Sequence, residues 1–224
     1  MTKSSPPPSS VNKLPDGTLE ITFTLPWVDV HRAYDQAVTD AVAEAVVPGF
    51  RKGKAPRDLV EPKLDKNHTL THALQHLLPK TYAQAIEKHQ LKPVLYPSLK
   101  VQKGQEGQDW TFIATTCEAP QVKLGPLTKD IAQLVKSSQV QIADLLVESE
   151  ANHRLSGLAE NLNQLGLSID KYLATKKITA EQLKAETARA ARHDLTVEFI
   201  LQKIQVDHKL ADRQKTLDFL ANLV

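Results

Sequence analysis

The first half of the chain contains three runs in which apolar and polar residues alternate. The run Thr18–Leu25 places an apolar side chain at every second position, namely Leu19, Ile21, Phe23 and Leu25. That period of two is typical of a strand with one buried face. Two further alternating runs, residues 94–104 and 109–119, meet at Gly-Gln-Glu-Gly-Gln, which suits a hairpin connection. The pattern therefore predicts a small antiparallel sheet.

Between the first strand and the hairpin the apolar period lengthens to three and four residues, which predicts helices. Asp29 is the predicted N-cap of a first helix that ends before Pro48 and Gly49. The predicted buried face of this helix consists of Ala33, Ala37, Val38, Ala41, Val42, Ala45 and Val46. Pro56 suits the first turn of a short helix, and a leucine-rich stripe predicts a longer helix over about residues 69–89.

From residue 128 onward the pattern predicts helices and no strand. Ser168 and Thr179 are suitable N-caps, and Gly166 is a suitable helix stop. The fold class expected from the whole pattern is an α+β amino-terminal domain, with a small antiparallel sheet and long helices, followed by an all-α carboxy-terminal domain.

The predicted domain boundaries follow from changes in composition. Residues 1–11 are dominated by Pro and Ser and are predicted to be a disordered tail. The α+β domain is assigned to residues 12–119. Residues 120–127 contain Pro120, Gly125 and Pro126 and are assigned to a linker. The helical domain is assigned to residues 128–224.

Composition excludes several classes of protein. The net charge of +2 over 224 residues is far from that of a polycation, so any nucleic-acid contact has to be local. Cys117 is the single cysteine, which excludes an intramolecular disulfide and favours a small buried side chain. No apolar run approaches the roughly 18 residues of a membrane span. These features predict a cytoplasmic protein with no membrane partner.

Residues 46–60, Val-Val-Pro-Gly-Phe-Arg-Lys-Gly-Lys-Ala-Pro-Arg-Asp-Leu-Val, form a concentrated cationic segment. They contain Arg51, Lys52, Lys54 and Arg57 around Phe50, with no acidic residue before Asp58. Arg and Lys beside an exposed aromatic ring suit a phosphate backbone or an acidic protein surface. The alternative is a solvated basic turn whose Phe50 folds back onto its own core. Chemistry alone leaves both open.

Histidines provide the other candidate site. His68, His72 and His76 are four residues apart and would share one face of a helix, a spacing that suits Zn or Ni. A polar helix face opposite the leucine stripe is the simpler interpretation, and the sequence leaves open whether these residues bind a metal. Phosphate-binding, nucleophilic and kinase motifs are absent from the sequence, so we expect no catalytic residue and no cofactor.

The cationic segment also carries a family resemblance. Gly-Phe-Arg-Lys-Gly-Lys-Ala-Pro, residues 49–56, resembles the G-F-R-x-G-x-x-P ribosome-docking motif of trigger factor, a bacterial chaperone at the nascent-chain exit. The resemblance extends over about residues 12–123. It implies that the ribosome-binding residues are Gly49, Phe50, Arg51, Lys52, Gly53, Lys54 and Pro56.

Residues 140–173 and 179–204 resemble the carboxy-terminal, substrate-cradling domain of the same family. Ala143 replaces the proline that opens the corresponding family helix. Only about twenty residues separate the hairpin from the helical domain, where the family usually has a prolyl isomerase domain. The resemblance therefore implies a short form that lacks the isomerase and is not an enzyme.

The resemblance implies a ribosome-associated chaperone that binds nascent polypeptides at the exit tunnel and assists their folding by holding and release. The implied partners are the ribosome, through an exit-tunnel protein and rRNA, and unfolded nascent chains. Whether the free protein forms a homodimer stays open. The alternatives are a peptidyl-prolyl cis-trans isomerase by family membership, which the missing domain disfavours, and a non-ribosomal module for RNA or an acidic protein.

Overall fold

The computed structural model describes residues 8–223, and this part of the chain divides into two compact units. Unit 1 comprises the chain through Asn12, then Leu19–Lys92 and Tyr96–Thr116. Unit 2 comprises Lys13–Thr18, Pro93–Leu95 and the chain from Cys117 onward. The predicted boundaries at residues 119, 120 and 128 stay predictions.

Unit 1 contains a four-stranded sheet, in which the strands, numbered along the chain, have the order β1-β2-β4-β3. Its strands are β1 (Ser9–Lys13), β2 (Thr18–Leu25), β3 (Ser98–Lys103) and β4 (Trp110–Cys117). Strands β3 and β4 pair antiparallel, as the hairpin sequence predicts. Alternate residues of β2 and β4 are buried, which confirms the predicted period of two.

Strand β1 corrects the predicted tail, because residues 9–11 are ordered in the sheet. The strand forms since Val11 packs against the unit 1 core and the Thr24 backbone N–H donates to the Pro8 carbonyl at 3.2 Å. Ser9 Oγ also lies 3.1 Å from His89 Nε2. The rest of the predicted tail, residues 1–7, lies outside the described residues.

Four helical segments connect β2 to β3. They are α1 (Trp27–Glu44), α2 (Arg57–Val60), a 3-10 turn (Glu61–Lys63) and α3 (Lys66–Lys88). Helix α3 begins at Lys66, earlier than predicted, because the Asp65 side chain accepts hydrogen bonds from the Asn67 and His68 backbone N–H groups. Its leucine stripe packs against the core cluster that the sheet contributes.

The predicted start and end of α1 are both wrong by a few residues. Pro26, not Asp29, is the N-cap, because the Pro26 carbonyl already accepts from the Asp29 and Val30 backbone N–H groups. The backbone becomes extended at Ala45, so the helix ends before Val46. Val46 is consequently 78% exposed, whereas the helical pattern places it on the buried face.

The core of unit 1 lies between the sheet and α3 and centres on two stacked rings. The centroids of Phe23 and Phe112 are 5.8 Å apart and the rings are 17° from parallel. Both side chains are fully buried. Burial of aromatic area makes this pair the main apolar contact between β2 and β4.

Unit 2 is helical with one short β-ribbon. Its helices are α4 (Ile131–Ser137), α5 (Asp144–Gln164), α6 (Ile169–Lys176), α7 (Ala180–Asp207) and α8 (Arg213–Ala221). The ribbon pairs β5 (Val122–Lys123) with β6 (Gln139–Val140). It corrects two expectations, since β5 lies in the predicted linker and β6 in a segment predicted to be free of strands. Val122 and Val140 pack against a buried cluster around Leu134 and Ile200, which explains the pairing.

Local signals fix the helix ends of unit 2 as predicted. Thr179 Oγ1 accepts from the Gln182 backbone N–H while the Gln182 side chain accepts from the Thr179 N–H, which forms a capping box. Ser168 caps α6. Gly166 adopts φ +68°, the left-handed conformation that ends many helices. No described helix is both long enough and apolar enough to cross a bilayer.

The stacked pair gives a stability prediction. We expect Phe23→Ala to lower the free energy of unfolding by about 3–5 kcal/mol, because it removes a buried ring and leaves a cavity beside Phe112. Urea unfolding followed by circular dichroism measures the change. Val28→Ala is the matched control, since Val28 is 64% exposed. Equal stability of the two variants would contradict this account of the core.

Candidate functional site

The cationic segment forms a loop between α1 and α2 that is held by its own backbone. The Phe50 N–H donates to the Val47 carbonyl at 3.0 Å, and the Lys54 N–H donates to the Arg51 carbonyl at 3.0 Å. The first turn precedes the basic residues, and the second contains Arg51, Lys52 and Lys54. A third bond, from the Gly53 N–H to the Ala45 carbonyl at 3.1 Å, ties the loop back to the end of α1.

Both loop glycines have backbone angles that other residues rarely adopt. Gly49 has φ +87° and Gly53 has φ +70°. Gly53 also packs against α1 so closely that an added Cβ would lie 2.4 Å from the Ala43 carbonyl oxygen. An added Cβ at Gly49 would meet no atom within 4 Å. Gly53 is therefore required both by its positive φ and by its close packing on α1. Gly49 is required by its positive φ alone.

Arg57 fixes the far side of the loop by bridging two carboxylates. Its guanidinium donates to Asp35 on α1 at 2.8 Å and to Glu61 at 2.7 Å. These hydrogen bonds hold the pKa of both carboxyl groups below the ordinary range and raise the pKa of Arg57. All three groups are ionised at neutral pH, so the cation of Arg57 is neutralised within the protein.

The remaining basic residues stay available. Arg51, Lys52 and Lys54 are exposed, and within residues 8–223 no carboxylate lies at salt-bridge distance from any of them. Phe50 keeps 42% of its surface in contact with water. The partly exposed ring disagrees with the alternative in which Phe50 folds fully onto the core.

Every residue of the predicted motif lies in this one loop or at its edge. Pro56 is the N-cap of α2 and is exposed, and Ala55 beside it is buried and anchors the segment. The sequence pattern groups Arg57 with the other three cations of the segment and does not reveal its carboxylate partners. The Arg57–Glu61 spacing of four residues was a readable signal, whereas contact with Asp35, 22 residues away, depends on the fold.

The three histidines of α3 are exposed and lie along the groove between α3 and α1. His72 and His76 form an edge contact with ring centroids 5.1 Å apart. His68 and His72 line a groove of about 420 Å³ together with Asp40 of α1. Throughout the described part of the chain, no three His, Cys, Asp or Glu side chains converge as a metal site requires.

Cys117 is fully buried, and burial raises the pKa of its thiol. The thiolate that nucleophilic chemistry needs is therefore disfavoured. The small side chain packs with Ile142 and Ala143, in agreement with a structural role.

A second exposed apolar patch occurs in unit 2, where α5 turns into α6. Leu165, Leu167 and Ile169 are 72%, 43% and 40% exposed around Gly166. We call these three residues the α5–α6 patch. The Leu167 N–H donates to the Leu162 carbonyl at 2.9 Å, so the turn is fixed by backbone bonds and presents its side chains outward. Exposed apolar groups gathered at one place mark a surface for a partner.

Helices α5 and α7 form the framework that carries this patch. The apolar face of α7 is buried, since Ala191 and Ile204 are fully buried and Leu195 packs on the α5 side. Arg154 of α5 donates to Asp194 of α7 at 2.7 Å. Ala143, at the position where the resembled family has proline, adopts φ −57°, an angle that proline favours.

Comparison with known proteins gives two family matches. A model described as bacterial trigger factor protein matches residues 8–153, and a model described as bacterial trigger factor protein C-terminus matches residues 128–218. Trigger factors from Staphylococcus epidermidis and Staphylococcus aureus are each 36% identical over 141 residues. That alignment covers 62% of this chain and 32% of each relative, so the chain spans about a third of their length in the aligned part.

A solved structure described as "Promiscuous Substrate Recognition in Folding and Assembly Activities of the Trigger Factor Chaperone" also aligns with the chain. The alignment covers 68% of this chain and 35% of that chain, with a TM-score of 0.39 and 21% identity. At this level of similarity it adds nothing to the assignment. Because the first family model alone matches more than half of the residues, the chain belongs to the bacterial trigger factor family.

Proposed function

We propose that this protein is a ribosome-associated chaperone that docks through the α1–α2 loop and holds unfolded nascent polypeptides by weak contacts. The observation that carries the proposal is the set of three uncompensated cations, Arg51, Lys52 and Lys54, around a partly exposed Phe50. Family membership supports a chaperone role. Cytoplasmic location and partial association with ribosomes are part of the proposal.

The chemistry of the loop suits a surface that combines protein and rRNA. Arg51 presents a planar guanidinium for bidentate contact with a phosphate or carboxylate, and Lys52 and Lys54 act as compact point charges. Phe50 would lose its remaining water on docking, which favours a protein partner with an apolar recess. Arg57 contributes rigidity instead of charge, because Asp35 and Glu61 already neutralise it.

The α5–α6 patch supports the holding part of the proposal. Its three aliphatic side chains offer non-directional contact that suits many client sequences. Release must be fast, so a few partly exposed side chains serve better than a deep pocket. The proposal assigns no catalytic residue, cofactor or metal. The absence of prolyl isomerase activity stays a prediction. Its clients and the oligomeric state of the free protein lie beyond the proposal.

The loop charges give the principal test. We expect the triple variant Phe50→Ala, Arg51→Ala, Lys52→Ala to lose at least about tenfold in affinity for bacterial 70S ribosomes, because a desolvated anchor and two charges are removed together. Co-sedimentation at fixed salt measures the loss. The matched control is Val28→Ala, Lys80→Ala, Lys88→Ala, which removes one exposed apolar group and two exposed cations from α1 and α3.

Equal ribosome affinity in both variants would exclude the loop as the anchor. Equally tight binding to free RNA, with a steep dependence on salt and no preference for ribosomes, would favour a general RNA-binding module.

The glycines separate loop shape from loop charge. We expect Gly53→Ala to weaken ribosome binding more than Gly49→Ala, although neither changes a charge. Both substitutions strain a positive φ at a cost of about 1–2 kcal/mol, but only Gly53→Ala also forces a methyl group against the Ala43 carbonyl. Sedimentation of both variants tests the order, with circular dichroism as a check of folding. If Gly49→Ala is equally or more damaging, close packing on α1 does not shape the docking surface.

The α5–α6 patch tests holding separately from docking. We expect Leu165→Ser, Leu167→Ser, Ile169→Ser to suppress the aggregation of a thermally unfolding reporter enzyme less well, with ribosome binding unchanged, because apolar contact area is lost. Light scattering at equal chaperone concentration measures the effect. Val206→Ser is the control, as Val206 is 72% exposed but lies outside the patch. Unchanged suppression would place client contact elsewhere.

A further inference from the structure

Strand β3 is an open edge of the unit 1 sheet. Within residues 8–223 it stands last in the strand order and pairs with β4 alone, so no described strand pairs with the other side of its backbone. All six of its residues are exposed. In an antiparallel pair, alternate N–H and C=O groups point away from the neighbouring strand, so this edge presents a ready template for another strand.

The face of β3 that continues the core is apolar and uncovered. Leu99 lies opposite Ala114 and Val101 lies opposite Phe112, and both partners are fully buried. Residues opposite each other in a sheet share one face. Leu99 and Val101 are nevertheless 38% and 55% exposed. The apolar face of the sheet therefore continues onto the edge strand without being covered there.

The other face of β3 is cationic. Lys100 lies opposite Ile113, and Lys103 lies opposite Thr111 after an irregularity in the register, which puts both lysines on the face away from the core. Neither lysine has a carboxylate at salt-bridge distance in the described part of the chain. The strand thus combines an apolar strip on one face with two uncompensated positive charges on the other.

From this juxtaposition we propose that β3 binds an extended peptide segment of alternating apolar and acidic residues as an added strand. The apolar residues of the segment cover Leu99 and Val101, while its carboxylates lie beside Lys100 and Lys103 on the opposite face. The period of two over Leu99, Lys100 and Val101 matches the period of two in such a peptide, and the irregularity before Lys103 places that lysine on the same face as Lys100. Main-chain hydrogen bonds provide affinity, and the apolar and cationic faces of β3 determine which peptide sequences bind.

Charge argues for this occupant over a second copy of the chain. If two β3 edges paired antiparallel in one continuous sheet, Lys100 and Lys103 of both copies would share a face. Like charges opposite each other destabilise a strand pair. Lysine on an edge strand is a known device against self-association, and the same two charges select an acidic segment. The surface is distinct from the α1–α2 loop, so the inference goes beyond ribosome docking and does not depend on it.

The test uses fluorescence anisotropy of the whole protein with a dye-labelled heptapeptide of alternating valine and glutamate. We expect Lys100→Glu, Lys103→Glu to weaken binding of this peptide at least about fivefold and to strengthen binding of a valine–lysine version, because two favourable cross-strand pairs become repulsive. Lys52→Glu, Lys54→Glu is the matched control. It makes the same change in net charge in the loop and should impair ribosome binding while leaving peptide binding unchanged.

Three further measurements test strand addition itself. Leu99→Ser, Val101→Ser should weaken the same peptide without changing the fold, which circular dichroism checks, and hydrogen exchange of the residues 98–103 amides should slow when peptide is bound. A peptide with proline at its centre should bind poorly, since proline removes a ladder donor.

The inference is overturned if the charge reversal leaves affinity unchanged, if the proline peptide binds as tightly, or if protection appears elsewhere and not at β3. Ribosome sedimentation of the β3 variants should match the wild type, so failure of this inference is distinguishable from failure of docking.

Discussion

The burial of one face of the sheet in unit 1 is the constraint on which the loop depends. Phe23 and Phe112 stack between β2 and β4, and the leucines of α3 cover that face. Helix α1 also packs on this core through Val30. Because the sheet fixes both helices, it also fixes the point at which α1 ends and the chain turns outward. The loop is thus positioned by apolar packing at the end of α1, and the Arg57 bridge then fixes its far side.

Within that framework, the loop keeps its charges available by supporting itself in other ways. Backbone bonds, the close approach of Gly53 to α1 and the Arg57 bridge fix the path of the chain. None of these supports uses the side-chain charge of Arg51, Lys52 or Lys54. Exposed ion pairs contribute little to stability. The Arg57 bridge therefore matters because it fixes the position of α2 relative to α1, next to Arg51, Lys52 and Lys54. A docking surface needs this separation, because a cation that stabilises its own fold is less available to a partner.

Periodicity and local chemistry determined which parts of the structure were predictable. The strand Thr18–Leu25, the hairpin and the caps at Ser168 and Thr179 were predictable because each signal lies within a few residues. Strand β1 and the β5–β6 ribbon were missed because they are short and depend on distant partners, such as the cluster that receives Val122. Asp29 was misplaced as a cap because the Pro26 carbonyl accepts the first backbone hydrogen bonds of the helix, so the helix begins before Asp29.

The same division holds for the functional surfaces. The loop residues were predictable from a contiguous motif, but the neutralisation of Arg57 was not, since Asp35 is brought to it only by the fold. The edge strand gave a clear strand signal, yet its alternation of Leu99, Lys100 and Val101 is the pattern of any half-buried strand. The strand order shows that one edge of β3 is open, and the exposure of all six of its residues shows that neither face is covered.

Two groups of exposed apolar residues in unit 1 occur beside cations that have no carboxylate partner among residues 8–223. Phe50 is followed by Arg51 and Lys52, and Leu99 and Val101 lie on either side of Lys100. Apolar surface alone would favour self-association, whereas neighbouring like charges make two copies repel each other at these points. The charges therefore do two things at once, because they keep the apolar groups accessible and bias them toward acidic partners. Because the net charge of the protein is only +2, its preference for acidic partners depends on where the cations are placed. A loop or strand whose cations were paired with carboxylates of the same chain would lose that preference.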